Sequence, residues 1–202
     1  MALYKNFPKK DKIKQNVVYV FIDASNVWNA VKSARKFIEY KNLKNYFRKN
    51  FNAGKVEIYY YDAYPKDGTR DYNLDGKHRF FTYLKKGLGF IVRKKELRKK
   101  ELKRISVISE NGESIIEKGN MDVEMTIDAI HNMSKYDIAV LFSGDADFLA
   151  LVNYIKNGGK KVYIYSSKDN ISRELKTGGN GYYDLRDIDE FWGKDLKHRK
   201  KS

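Results

Sequence analysis

Short apolar segments, each long enough for one strand, alternate with segments of helical character along most of this chain. The apolar segments are rich in Val, Ile, Tyr and Phe, which is typical of buried strands. Strands that alternate with helices form parallel βαβ units. The sequence therefore predicts an α/β fold, a three-layer sandwich around a mainly parallel central sheet of about five strands. The predicted strands are residues 17–23, 55–64, 88–94, 137–144 and 160–166.

Helical segments follow most of these strands, at residues 26–48 (in one or two pieces), 77–86, 120–133, 145–157 and 171–177. The stretch 105–119 departs from the alternation because Asn111-Gly112 is a strong signal for a tight β-turn. We expect a small β-hairpin insertion there, preceded by a basic segment that begins as a helix.

Length and composition limit the class of protein. A chain of 202 residues fits one domain with a sizeable core. Cysteine is absent, which excludes disulfides and cysteine-ligated metals, and the three histidines lack metal-ligand spacing. The sequence has neither an apolar run of 18 residues nor the pattern of a secretory signal, so we expect a cytoplasmic protein without membrane association.

Nearly all of the net charge of +15 lies in three segments. Residues 1–16 carry five Lys and one Asp, residues 93–104 carry eight basic and two acidic residues, and residues 194–202 carry five basic and one acidic residue. Basic patches around a neutral body suit polyanions, most commonly nucleic acid, although solvated tails share this composition. The predicted organisation is a basic N-terminal extension (1–16), one domain (17–192) that includes a basic arm and hairpin (93–119), and a basic C-terminal tail (193–202).

Four aspartates follow predicted strands or begin predicted helices. Asp23 ends the first strand and Asp145 follows the fourth, and the crevice of an open α/β sheet lies beyond the carboxyl ends of its strands. Asp122 and Asp147 lie in first turns of helices, where a carboxylate can also serve only as a cap. Four acids in one crevice would repel each other without a cation, and oxygen ligands suit Mg²⁺ or Mn²⁺. The pattern indicates metal-assisted phosphoryl transfer or phosphodiester hydrolysis.

Other acidic motifs fit less well. A haloacid-dehalogenase-type phosphatase needs an Asp where Ser25 stands, and a von Willebrand-type adhesion site needs a Ser where Val27 stands. A Toprim domain expects a Glu in place of Asp23. Glycine-rich nucleotide-binding loops are not present in the sequence.

Three short blocks carry a resemblance to a known family. They are FIDASN at 21–26, KGNMDVEM at 118–125 and LFSGDADF at 141–148. In order and spacing they resemble the signature blocks of the NYN domain, the LabA-like group of PIN-like ribonucleases. The resemblance covers roughly residues 17–166 and implies a Rossmann-like PIN sandwich that cleaves RNA with a metal ion. It implies metal binding and catalysis at Asp23, Asp122, Asp145 and Asp147, with Asn26 as a further catalytic residue.

The leading hypothesis is a Mg²⁺- or Mn²⁺-dependent ribonuclease that hydrolyses single-stranded RNA. The alternative is a non-catalytic RNA-binding or scaffold module with a structural cation. The sequence leaves open the RNA target and whether the chain forms a homo-oligomer. We expect Asp128 to lie outside the metal set, and Trp28 and Trp192 to pack. The predicted contacts to RNA are Lys94, Lys95, Lys99, Lys100, Arg79 and Tyr64.

Overall fold

The computed structural model describes residues 14–65, 74–99, 117–118 and 120–196. Most of the basic N-terminal extension, the Asn111-Gly112 turn and most of the C-terminal tail lie outside these residues. The described strands are β1 (Asn16–Asp23), β2 (Lys36–Ile38), β3 (Ala53–Tyr64), β4 (Ile91–Glu96), β5 (Arg98–Lys99), β6 (Glu117–Lys118), β7 (Ile138–Phe142), β8 (Lys161–Ser166), β9 (Gly181–Asp184) and β10 (Trp192–Asp195). The described α-helices are α1 (Ala24–Ala34), α2 (Leu43–Asn50), α3 (Asp75–Thr82), α4 (Asp122–His131), α5 (Leu149–Asn157) and α6 (Arg173–Gly178).

The central sheet has six parallel strands in the order β4-β3-β1-β7-β8-β9. This confirms the predicted α/β sandwich with a parallel sheet. β9 lies outside the predicted strands, because its sequence, GYYD, is short and only partly buried.

Helices cover both faces of the sheet, and alternate residues of β1 face the two layers. Val18, Val20 and Ile22 belong to a core with α1, α2 and α3, whereas Tyr19 and Phe21 belong to a core with α4, α5 and α6. Both faces of β1 are therefore buried, which explains its continuous apolar sequence.

The predicted helix at 26–48 consists of two helices separated by a short strand. The chain leaves α1 at Arg35, which has a left-handed backbone (φ 54°), and then forms β2 before α2 begins. β2 pairs antiparallel with β10.

The basic arm begins as a strand rather than a helix, so the helical expectation for its start is wrong. β4 runs through Glu96 and pairs along β3, from Tyr59 opposite Ile91 to Tyr64 opposite Glu96. Pairing with the sheet outweighs the weak helix preference of the charged residues. β5 and β6 then pair antiparallel, with Arg98 opposite Lys118.

In the part of the chain that the structure describes, none of the helices has the length and apolar character needed to cross a bilayer.

Candidate metal centre and its surroundings

The topology brings the predicted acids to one edge of the sheet. β1 and β7 are neighbours, with Ile22 opposite Phe142, so the end of β1 lies beside the loop that carries Asp145. After β1 the chain passes to β3 on one side of this pair, and after β7 it passes to β8 on the other side. The acids therefore lie where the strand order reverses, which is the usual position of a functional crevice in an open α/β sheet.

Asp122, Asp145 and Asp147 form a compact group. One carboxylate oxygen from each lies within 4.8 Å of the others. Asp145 and Asp147 are exposed, and Asp122 is half-buried. Three oxygen donors at this separation, open to solvent, fit the ligand preference of Mg²⁺ or Mn²⁺.

The loop after β7 fixes the two acids of the D-x-D motif. The Asp145 carboxylate accepts a hydrogen bond from the Asp147 backbone N–H at 3.0 Å, so Asp145 caps the short helical turn Ala146–Phe148. The buried Ser143 hydroxyl accepts from the Asp145 backbone N–H at 3.3 Å. These local bonds hold the backbone in the conformation that keeps both carboxylates at the edge of the sheet.

Gly144 allows a close approach between this loop and a neighbouring one. Its carbonyl oxygen accepts from the backbone N–H of Ser172 at 2.9 Å. A Cβ at this position would overlap the carbonyl oxygen of Asn170 and approach the Asn26 side chain. A residue without a side chain is therefore required between Ser143 and Asp145.

Asn120 holds Asp122 in place. Its side-chain oxygen accepts from the Asp122 backbone N–H at 3.0 Å, and its amide donates to the Asp122 carboxylate. Burial is the main cause that raises the pKa of Asp122; the hydrogen bond from Asn120 lowers it, and the other three aspartates raise it. The Asp122 carboxylate therefore lies among like charges, where a cation would lower the electrostatic energy.

Asp23 lies beside the three-acid group but is not one of its members among the described residues. It caps α1, since its carboxylate accepts from the Ser25 backbone N–H at 2.9 Å and from the Ser25 hydroxyl at 2.8 Å. Burial raises its pKa, the bonds from Ser25 oppose the shift, and the charge of Asp145 raises it again. Asp23 and Asp145 are thus close enough to interact.

Asn26, predicted as catalytic, is buried beneath this edge with 4 % of its surface exposed. Its side-chain oxygen accepts from the Ser166 hydroxyl at 3.2 Å, which ties α1 to the end of β8. This placement suits a residue that positions the loops rather than one that contacts substrate.

The family model described as the NYN domain matches residues 17–186. The chain belongs to the NYN family. It is 32 % identical to the low amplitude and bright protein LabA of Synechococcus elongatus. The aligned region spans 172 residues, which is 85 % of each chain. It also resembles the crystal structure of a protein of unknown function from Vibrio parahaemolyticus, with a TM-score of 0.62 and 23 % identity over 88 % of this chain and 96 % of the other. This second likeness shows the fold alone. NYN domains are PIN-like ribonucleases by family, and this one has the Asp cluster that could bind a metal.

Two acidic residues of α4 form ion pairs with two residues of the basic arm. Lys95 Nζ lies 2.8 Å from Glu124, and the Arg93 guanidinium donates two hydrogen bonds to Asp128 at 2.9 and 3.1 Å. Asp128 also accepts from the Tyr61 hydroxyl at 3.0 Å, so it has a structural role outside the metal group, as expected. Part of the positive charge of the arm is therefore compensated within the protein.

The other predicted RNA contacts are differently placed. Lys94 is exposed, with Nζ over the rings of Tyr64 and Phe81 at 5.7 and 5.6 Å. Arg79 is exposed on α3. The Lys99 side chain and Lys100 lie outside the described part of the chain.

The prediction that Tyr64 stacks on a base is contradicted by its burial. Only 9 % of its surface is exposed, and its ring packs edge-on against His78 and Phe81 of α3. α3 covers the end of β3, which the sequence did not reveal.

Trp28 was expected to pack, but 49 % of its surface is exposed. It lines a pocket of about 730 Å³ that begins at Asp23 and lies between α1, β3 and α3. Asp62, a buried carboxylate in the apolar sequence of β3, lines the same pocket. A charged residue inside the apolar second half of β3, residues 58–64, was the sequence signal that could have pointed to it. Trp192 is half-buried, and its indole N–H donates to the Leu185 carbonyl at 3.0 Å.

Proposed function

We propose that this NYN domain is a metal-dependent ribonuclease that hydrolyses the phosphodiester bonds of single-stranded RNA. The observation that carries the proposal is the group of the half-buried Asp122 and the exposed Asp145 and Asp147, in which one carboxylate oxygen of each residue lies within 4.8 Å of the others beyond the strand ends. Three like charges so close together repel each other, and a bound cation would compensate them.

The residues have separate roles in this proposal. Asp122 and Asp145 hold the cation together with Asp23, and Asp147 completes the ligand set or orients the attacking water. When bound, Mg²⁺ or Mn²⁺ supplies a polarised water and neutralises charge on the scissile phosphate. Asn26 keeps α1 and the end of β8 in register beneath the acids.

The charge distribution supports RNA rather than a small phosphate ester as substrate. The acids repel phosphate, so the attraction has to come from basic residues elsewhere. The chain carries a net charge of +15, most of it in the arm and the two tails. Positive charge that is distributed over three segments suits a polyanion.

The test compares cleavage of end-labelled single-stranded RNA and DNA in Mn²⁺, Mg²⁺ and EDTA. We expect cleavage of RNA with either cation and none in EDTA. The products should carry a 5′-phosphate and a 3′-hydroxyl, and a 2′-deoxy nucleotide at the scissile position should still be cut, because hydrolysis by water does not use the 2′-hydroxyl.

The decisive variant is Asp145→Asn, with Glu57→Gln as its matched control. Glu57 is a half-exposed acid in the first half of β3, where it pairs with Lys55 at 3.0 Å, away from the carboxyl edge. We expect Asp145→Asn to lower the rate by more than about 100-fold, because even residues that only support metal ligands contribute about 10- to 100-fold.

Stability without metal separates loss of function from loss of fold. Removing one of several crowded like charges should leave the melting temperature of Asp145→Asn in EDTA equal to or above that of the wild type. A folded Asp145→Asn that cuts RNA at the wild-type rate would contradict the metal assignment. A wild-type protein that binds RNA but never cuts it would favour the binding module instead.

A further inference from the structure

The pocket beside Asp23 combines aromatic and polar walls. Its volume of about 730 Å³ falls within the range of small-ligand sites. Trp28, Phe37, Tyr40 and Phe80 form the aromatic part, and Asp62 and Lys77 lie on the polar side.

The aromatic residues at this pocket are more exposed than a packing role would leave them. Trp28 has 49 % and Phe37 has 47 % of its surface exposed. Tyr40 lies behind them and contacts the rings of Phe80 (5.5 Å between centroids) and Tyr60 (5.7 Å, edge-on). The pocket therefore offers apolar ring faces to a ligand from a wall that is already supported by the core.

The polar side offers an acceptor and a donor at one place. Asp62 is buried, and its carboxylate accepts a hydrogen bond from Lys77 Nζ at 3.0 Å. The Lys77 ammonium has three N–H donors and its side chain is 33 % exposed, so it can also donate to a ligand in the pocket. A flat ligand with hydrogen-bonding groups along its edge could stack on the rings and form hydrogen bonds with Asp62 and Lys77. A nucleobase has that form.

The pocket is continuous with the proposed site of cleavage. Asp23 lines the pocket, and its charge interacts with that of Asp145; Asn120, which holds Asp122, lines it as well. A phosphate at the acids would therefore have the mouth of the pocket as its neighbour.

We propose that this pocket binds one unpaired nucleobase of the RNA strand next to the scissile phosphate, with the ring against Trp28 and Phe37 and the edge towards Asp62 and Lys77. The inference rests on the proposed ribonuclease function for the identity of the strand. It explains why single-stranded RNA would be preferred, because a base in a duplex cannot leave its stack without an energetic cost.

The chain contains two tryptophans, Trp28 and Trp192, which allows a direct binding assay. In Trp192→Phe the fluorescence reports on Trp28 alone. We would titrate this variant with three ligands: a single-stranded RNA hexamer, an abasic hexamer of the same backbone, and free nucleoside monophosphates. Each titration is made once in Ca²⁺ and once in EDTA.

We expect the RNA hexamer to quench Trp28 and the abasic hexamer to bind without quenching. Quenching by free monophosphates at a concentration similar to that of the hexamer would overturn the proposal, because it would make the pocket a site for a soluble nucleotide. Binding of the RNA hexamer, measured by anisotropy, without quenching would also overturn it.

Variants test the contribution of the rings. Trp28→Ala and Phe37→Ala should each weaken hexamer binding by about 5- to 150-fold, the range that stacking on one base gives. Tyr154→Ala is the matched control, since Tyr154 is 53 % exposed on α5 and does not line the pocket. Wild-type affinity in both ring variants would contradict the proposal.

The assay separates this proposal from the ribonuclease activity. Quenching by RNA in a protein that never cleaves would leave the base pocket intact and contradict the enzyme. Cleavage at the wild-type rate by Trp28→Ala and Phe37→Ala, measured at RNA concentrations well below saturation, would leave the enzyme intact and contradict the base pocket.

Discussion

The side-chain oxygen of Asn120 accepts a hydrogen bond from the backbone N–H of Asp122 at 3.0 Å. Asn120 therefore caps the first backbone N–H of α4 from a position before the N-cap residue Met121, which makes no side-chain cap bond itself. The Asn120 amide also donates to the Asp122 carboxylate, which lies in the group with Asp145 and Asp147. One side chain thus stabilises the helix and holds a proposed metal ligand in place.

Asn120→Ala should therefore affect both stability and metal binding. Loss of the cap should cost about 1 kcal/mol, or about 2 to 4 °C in melting temperature for a domain of this size. Loss of support for Asp122 should weaken Mn²⁺ binding by about 10- to 100-fold. Thermal unfolding with and without a Mn²⁺ titration measures both quantities.

Ser172→Ala is the control for Asn120→Ala. The Ser172 hydroxyl caps α6 by accepting from the Leu175 backbone N–H at 3.2 Å, and it makes no bond to the acids among the described residues. It should lower stability by a similar amount and leave Mn²⁺ affinity unchanged. Equal Mn²⁺ affinity in both variants would show that Asn120 only caps the helix.

The positions of the acids could be predicted because parallel strands bring their carboxyl ends to one edge. Asp23 at the end of β1 and Asp145 after β7 needed only that rule. Asp122 was less certain, since a carboxylate at a helix start is explained equally well by capping. In the structure the backbone N–H of Asp122 is bonded by Asn120, and the Asp122 carboxylate lies with Asp145 and Asp147.

The features that the sequence did not reveal depend on contacts between distant segments. α3 covers the end of β3 and buries Tyr64, although a residue at the end of a strand is commonly exposed. α4 lies beside β4, so Glu124 pairs with Lys95 across 29 positions in the chain. Neither contact is encoded by local periodicity. The exposure of Trp28 has the same origin, because it depends on how β2 and α3 flank α1.

Gly144→Ala should disturb the metal centre without changing an acid. The added methyl group would overlap the Asn170 carbonyl, so the Ser143–Asp145 backbone has to shift. We expect a loss of stability of about 1 to 3 kcal/mol, as for other overpacked sites, and a reduced rise in melting temperature on addition of Mn²⁺. Calorimetry with and without Mn²⁺ measures both.

Gly76→Ala is the control, because a Cβ at Gly76 in α3 meets no atom within 4 Å among the described residues. It should leave Mn²⁺ binding unchanged and slightly raise stability, since Ala favours helix more than Gly. If Gly144→Ala bound Mn²⁺ as the wild type does, the loop would be more adaptable than its packing indicates.

The ion pair between Asp184 and Arg186 should make stability depend on pH. Burial opposes ionisation of Asp184, but hydrogen bonds from Arg186 and from the Lys168 backbone outweigh it and lower the pKa of this carboxyl. A lowered folded-state pKa gives stability that is present above the unfolded-state value, about 3.9, and is lost as the pH falls through the lowered value.

Asp184→Asn should therefore be less stable than the wild type at pH 7, by about 1.5 to 3 kcal/mol, the usual contribution of hydrogen bonds to a charged group. The difference should shrink towards zero as the pH falls from the unfolded-state value of about 3.9 through the lowered folded-state pKa, because the wild-type carboxyl becomes protonated as well. Urea unfolding at a series of pH values from 7 downwards measures it. Asp187→Asn removes an exposed carboxyl nearby and serves as the control. A difference that does not change with pH would mean that the ionised form of Asp184 is not what stabilises the fold.

Lys94 and Lys95 are adjacent in β4 but differ in their partners, so they should contribute differently to RNA binding. Lys95 pairs with Glu124 at 2.8 Å, whereas Lys94 lies over two aromatic rings and makes no ion pair among the described residues. An ammonium that is already paired with a carboxylate releases few counterions from RNA.

Lys94→Gln should therefore flatten the plot of log affinity against log salt by about 0.7, the value for one phosphate contact on a single strand. Lys95→Gln should flatten it much less. Binding should weaken equally for all RNA sequences, since phosphates carry no base information. Anisotropy titrations at several salt concentrations measure the slopes, with Lys161→Gln, at the amino-terminal end of β8, as the control. If the slope of Lys94→Gln were parallel to that of the wild type, the RNA would not pass over β4, and its phosphate contacts would have to lie on other basic residues.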